Sequence, residues 1–164
     1  MRRKAKNLPA SASPESPAKQ LAVFIARFDP AIAKLVRAAR AVLRQRYFST
    51  AVELVYDNYN ALAIAFGPTE RASDAIVSLA VYARGLNLYF IYGATLPDPE
   101  HLLQGSGNRG RFLRLENIAV LDQPAVQALL SAAIQDGEPP LPAAGRGYTV
   151  IKLVSAKRRP RRPE

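Results

Sequence analysis

Four strand-like segments crowd into residues 52–92, and the links between them are too short to hold crossover helices. Val52–Tyr56 and Ala61–Phe66 flank Asp57-Asn58-Tyr59-Asn60. Asp and Asn tolerate turn geometry and bond their own backbone, so this unit reads as a hairpin. The polar loop GPTERASD follows. Ala75–Ala83 and Leu86–Tyr92 then meet at a tight turn around Arg84-Gly85. Parallel neighbours need long crossovers, so these links predict an antiparallel layer. Leu86, Leu88, Phe90 and Tyr92 share one parity, which gives that layer one buried face.

Helical patterns bracket the strands. QLAVFIARF is a short helical segment, and Asp29-Pro30 restarts a helix that runs to about Tyr47. Asp29 suits the N-cap, and Pro30 suits the first helical position, where a missing N–H costs nothing. In this second helix Ile32, Leu35, Val36, Ala39, Val42 and Leu43 form one face. Lys34, Arg37, Arg40 and Arg44 recur on the opposite face, read as solvated and as a stripe that would track phosphates. Further on, Asp98-Pro99 predicts a short helix over Pro99–Gln104, Arg111–Leu115 reads as a fifth strand, and Asp122-Gln-Pro124 opens a last helix. Residues 138–147 form a Pro/Gly-rich loop, and Tyr148–Val154 is either a sixth strand or an arm.

The predicted architecture is therefore α+β: an antiparallel sheet of five to six strands with N- and C-terminal helices packed on one face. A chain of 164 residues with 49% apolar content suits one such domain, placed at 20–154. Residues 1–19, with NLPASASPESPAK, are expected as a disordered basic tail, and so are residues 155–164. Most of the net charge of +10 lies in these ends. Arg2, Arg3, Lys4, Lys6 and Lys19 face only Glu15, and Lys157, Arg158, Arg159, Arg161 and Arg162 face only Glu164.

Composition removes several kinds of chemistry. Without cysteine there are no disulfides, thiolate metal sites or Cys nucleophiles. One histidine, His101, gives no His-paired metal site and no evident Ser-His-Asp set. No apolar h-region follows MRRKAK, and no apolar run reaches the ~20 residues of a membrane helix, so a cytoplasmic protein without membrane partners is expected.

Gly105-Ser-Gly-Asn-Arg-Gly110 spells G-x-G-x-x-G, the pattern of a dinucleotide cradle. Such a cradle needs strand, glycine turn and helix in that order. Here the expected order is helix, glycines, strand, so the stretch reads as a turn with Gly105 as a helix terminator. No Gly-Lys-Ser/Thr occurs elsewhere. No cofactor is expected.

Two stretches resemble the YdhG-like family of small bacterial proteins: VYDNYNALAIAFGPTER and LPDPEHLLQGSGNRGRFLRL, within a similarity over roughly residues 20–135. The family is a domain of unknown function, and some members are described as frataxin-like iron chaperones. The resemblance implies a frataxin-like sandwich of helices on an antiparallel sheet. An iron role would need an acidic ridge on the first long helix and first strand. Here that helix carries Lys34, Arg37, Arg40, Arg44 and Arg46, leaving only Glu53 and Asp57 on the strand, so no metal ligand is assigned.

The expected function is a non-catalytic binding module, not an enzyme. Its ligand, a small molecule or protein segment, is expected near Asp57, Tyr59, Asn60, Tyr82, Tyr92, Arg109 and Arg111. The alternative is non-specific nucleic-acid association through Lys34, Arg37, Arg40, Arg44, Arg158, Arg159, Arg161 and Arg162. Self-pairing of an edge strand would make a homodimer.

Overall fold

The computed structural model describes residues 15–163. Two helices lead the chain, α1 over Pro17–Ala26 and α2 over Pro30–Arg46. Four strands follow: β1 Val52–Asp57, β2 Leu62–Gly67, β3 Val77–Tyr82 and β4 Gly85–Phe90. After the glycine stretch come β5 Arg111–Leu115, α3 Pro124–Asp136 and β6 Tyr148–Val154. The sheet order is β5-β4-β3-β2-β1-β6.

Each helix starts as its sequence dictates. Ser16 Oγ accepts from Lys19 N–H at 3.3 Å, with Pro17 at the first helical position. Pro30 and Pro124 fill the same position in α2 and α3. Asp29 stands at the N-cap of α2, but its side chain makes no cap hydrogen bond. Order therefore begins before residue 20. The rest of the expected N-terminal tail, residues 1–14, lies outside the described residues, as does Glu164.

The first five strands form an antiparallel meander, and the α+β class is as expected. The sheet is nevertheless mixed, because β6 pairs with β1 in parallel. The reason is topological. β5 ends at the far edge of the meander, and α3 carries the chain back over the sheet before β6 enters beside β1. Gly147 permits that entry: a Cβ there would collide with the Ala51 carbonyl, while its own N–H donates to Ser49 O at 2.9 Å. The pairing skips a residue between Ile151 and Leu153, so Lys152 is the unmatched residue of a bulge. A charged bulge on an edge strand opposes pairing with another chain.

All three helices pack on one face. Phe24, Ile25, Val36, Leu43, Leu129 and Leu130 meet Val55, Ile64, Phe66, Leu79, Leu88 and Phe90 in the main core. Each fully buried Leu or Phe there contributes about 1.5–3 kcal/mol relative to exposure. The other face carries a smaller cluster of Val52, Leu54, Ala65 and Ala75 with Tyr56 against it. β1 is thus buried on both faces, and its helix-facing residues are Glu53, Val55 and Asp57.

Three local expectations change. Pro99–Gln104 is not a helix. Asp98 accepts from Leu102 N–H and Leu103 N–H at 2.9 Å each, which closes a tight turn, and with His101 at φ 53° no helix forms. The α2 stripe also divides. Lys34 and Arg37 are exposed, while Arg40 and Arg44 turn in towards Glu53. Finally, residues 155–163 are not a free tail. Ser155 N–H donates to Asp57 O and Arg159 N–H to Tyr59 O, at 2.9 and 2.8 Å, so the segment is bound along the β1–β2 turn.

Candidate functional site: an arginine cleft behind the first hairpin

Asp57 ends β1 on the helix-facing side of the sheet, where it pairs with Leu62. Strand alternation points its carboxylate under α1 and the returning C-terminal segment. Only 1% of that side chain is exposed. A buried carboxylate is costly unless it is paired, and three guanidiniums supply the pairing. Arg161 Nη2 donates to Oδ1 at 2.8 Å, Arg27 Nη1 donates to Oδ2 at 3.1 Å, and Arg158 Nε lies 3.0 Å from Oδ2. Arg161 Nη2 also donates to Asn58 O at 2.6 Å.

The arginines come from the end of α1 and from the residues after β6, so neither group makes the site alone. Aromatic rings fix them. Arg27 lies over Phe24 at 5.4 Å, Arg161 over Phe28 at 5.5 Å and Arg159 over Tyr59 at 5.8 Å. Arg162 Nε donates to Arg27 O at 3.2 Å and ties the last turn to α1. The result is an open cleft of about 450 Å³ lined by Arg27, Arg158, Arg159, Pro160, Arg161 and Arg162. Five guanidiniums line it, and three of them, Arg27, Arg158 and Arg161, pair with Asp57, the one carboxylate at the cleft among the described residues. Counted over those residues, the local charge is +4.

Most of the cleft's arginines remain partly open to water, but Arg161 is 5% exposed. Its Nε is buried and has no hydrogen-bond partner among the described residues. Planar guanidiniums offer their donors in forks that match phosphate and carboxylate oxygens. Such an arrangement has more donors than its own acceptor uses, which is the donor chemistry an anion would accept from.

The residues expected to form a ligand site do not come together. Asp57, Tyr59 and Asn60 lie at the β1–β2 turn. Tyr82 is at the same end of the strands but on the other face of the sheet. Tyr92, Arg109 and Arg111 are at the opposite end. There the Tyr92 hydroxyl donates to Ser73 O at 2.6 Å, beside a cavity of about 320 Å³ floored by Ile76, Phe90 and Leu96 and bordered by Asp74 and Asp136. Neither Arg109 nor Arg111 lines that cavity.

The glycine stretch is a turn leading into a strand, but no helix precedes it, so Gly105 does not terminate one as expected. Gln104 and Phe112 bridge its two ends, with N···O distances of 2.7 and 3.0 Å. Gly105 has φ 120°, which favours glycine. Arg111 Nη1 donates to the carbonyls of Gly107 and Gly110 at 2.6 and 2.7 Å. A strand follows, not a helix, so no helix N-terminus is available to hold a pyrophosphate.

Sequence reasoning missed Arg27 and the joining of the hairpin to the C-terminal segment. It assigned Asp57 to one candidate set and Arg158, Arg159, Arg161 and Arg162 to another. One signal was present. Two carboxylates spaced by four on an otherwise apolar strand require cations if that face is buried, and the C-terminal segment holds a dense supply.

Comparisons with protein-family models, with curated proteins and with solved structures find no match to this chain. The YdhG-like resemblance rests on the quoted motifs alone. Among the described residues there is no group of three or more His, Cys, Asp or Glu side chains placed to hold a metal ion, and no helix is long and apolar enough to cross a membrane.

Proposed function

We propose that this protein is a non-catalytic binding module that holds the phosphate backbone of a nucleic acid in the arginine cleft. The observation that carries the reading is the excess of cleft guanidiniums over the single buried carboxylate that organises them. Nucleic-acid affinity is dominated by such contacts, and each neutralised phosphate releases counterions. Exposed Lys152 and Lys157 extend the positive surface along β6 and the segment beyond it. The proposal joins two sets that were separate in sequence, the hairpin residues Asp57 and Tyr59 and the C-terminal arginines. Iron handling gains nothing from the site, because Glu53 and Asp57 are each engaged by arginine.

The test is fluorescence anisotropy with labelled oligonucleotides across a salt series. The full chain is expected to bind more weakly as salt rises. Arg159→Ala and Arg162→Ala alter exposed residues, and together they should reduce the log–log salt slope by about 2. Arg46→Ala, on the exposed end of α2, should leave binding unchanged. Deleting residues 155–164 is not a clean substitute, because it removes the buried Arg161 from Asp57. Absence of binding by the intact chain at low salt would refute the proposal.

A further inference from the structure

We infer that the cleft selects single-stranded over duplex nucleic acid, with Tyr59 as the platform for one unpaired base. This inference rests on the backbone-binding reading above and names the form of nucleic acid taken.

Tyr59 stands at the tip of the β1–β2 hairpin with half of its surface exposed. A large aromatic side chain left in water beside a concentrated positive charge offers both halves of single-strand recognition. The guanidiniums take phosphates, and the ring takes the face of a base. Base faces are hidden inside a duplex and open in a single strand.

The geometry makes the two halves one unit. Arg159 N–H donates to Tyr59 O at 2.8 Å, and the Arg159 guanidinium lies over the Tyr59 ring at 5.8 Å. The ring is thereby held against Arg159, which itself lines the cleft. Arg161, which also lines the cleft, is held in place by Asp57 Oδ1 and Asn58 O, and its Nε is a buried donor with no partner among the described residues. Cation–π contact and stacking are tolerant of base identity, so the site prefers strand form without reading sequence.

The experiment measures binding of one labelled single-stranded DNA, the matching duplex and a sulfated polysaccharide to the full chain and to Tyr59→Ala and Tyr59→Phe. The intact chain should bind the single strand more tightly than the duplex. Tyr59→Ala should weaken single-strand binding about 5-fold or more, the equivalent of ~1 kcal/mol for one stacked base. It should weaken duplex and polysaccharide binding by a clearly smaller factor, the part owed to Arg159 losing the ring it lies over. Tyr59→Phe keeps the ring face and should retain single-strand affinity. Equal affinity for single strand and duplex, or a Tyr59→Ala variant as tight as the parent, overturns the inference while leaving backbone binding standing. Failure to bind either form at low salt defeats both readings.

Discussion

Glu53 and Asp57 lie on the same face of the same strand, each 1% exposed and each ringed by arginine, yet they have different neighbourhoods. Glu53 meets a matched set. The Arg40 fork donates to Oε2 and Oε1 at 2.6 and 2.7 Å, and Thr149 Oγ1 donates to Oε1 at 2.6 Å. Arg44 adds a looser ion pair at 3.6 Å. Asp57 instead gathers three arginines by single contacts, with two more lining the cleft in front. The first arrangement uses a bidentate fork and closes on itself. The second leaves donors over. The two carboxylates thus differ in how many cations surround them and in how many of those donors they use.

The largest expected effect comes from Asp57→Asn. Arg161, buried with it, would then face a neutral amide and could not reach water. Loss of one partner of such a pair costs about 3–5 kcal/mol, read as a lower urea midpoint with an unchanged slope. Glu53→Gln should cost less, about 1–3 kcal/mol, because Arg40 and Arg44 are 25% and 33% exposed and can turn to solvent. Equal losses in the two variants would break the comparison, since burial of the stranded cation would then not decide the cost.

The smallest effect sharpens the contrast from the other face of β1. The Tyr56 hydroxyl is buried and lacks a partner among the described residues, and burial raises the phenol above its usual pKa. Tyr56→Phe removes that unmet group and should be neutral or stabilising by up to about 1 kcal/mol at pH 7. The folded chain keeps the Tyr56 proton above pH ~10, where the unfolded chain releases it. Stability is therefore held below that pH and falls as pH rises towards the folded-state value. The Phe variant should lose less stability between neutral pH and pH ~10.5 in denaturant titrations. An identical alkaline loss in both proteins would show that Tyr56 titrates no differently when folded.

Much of the fold was legible in the chain because local rules agree with one another. Pro30 and Pro124 begin their helices, and Asp57-Asn58-Tyr59-Asn60 spans the end of β1 and the following turn. Glycines that precede a strand make a turn there. The misreadings came where a residue's environment is supplied from far away. Arg40 and Arg44 sit on the expected polar face of α2 but turn towards a carboxylate that the alternation of β1 did not assign to the core. Glu53 and Asp57 share a parity on β1, but the sequence pattern alone does not say that this parity is buried. A strand flanked on both sides of the sheet has no wet parity.

By itself the sequence determined the alternation of helices and strands, the hairpins, the glycine turn and the concentration of cations at the C-terminal end, because each depends on neighbours a few positions apart. Only the tertiary structure decided that β6 runs parallel to β1 and that the residues after it close over Asp57. That closure brings Arg161 to a carboxylate 104 positions earlier in the chain. Closure over Asp57 carries the desolvation penalty of a buried charge, which no local pattern can satisfy and which distant guanidiniums offset.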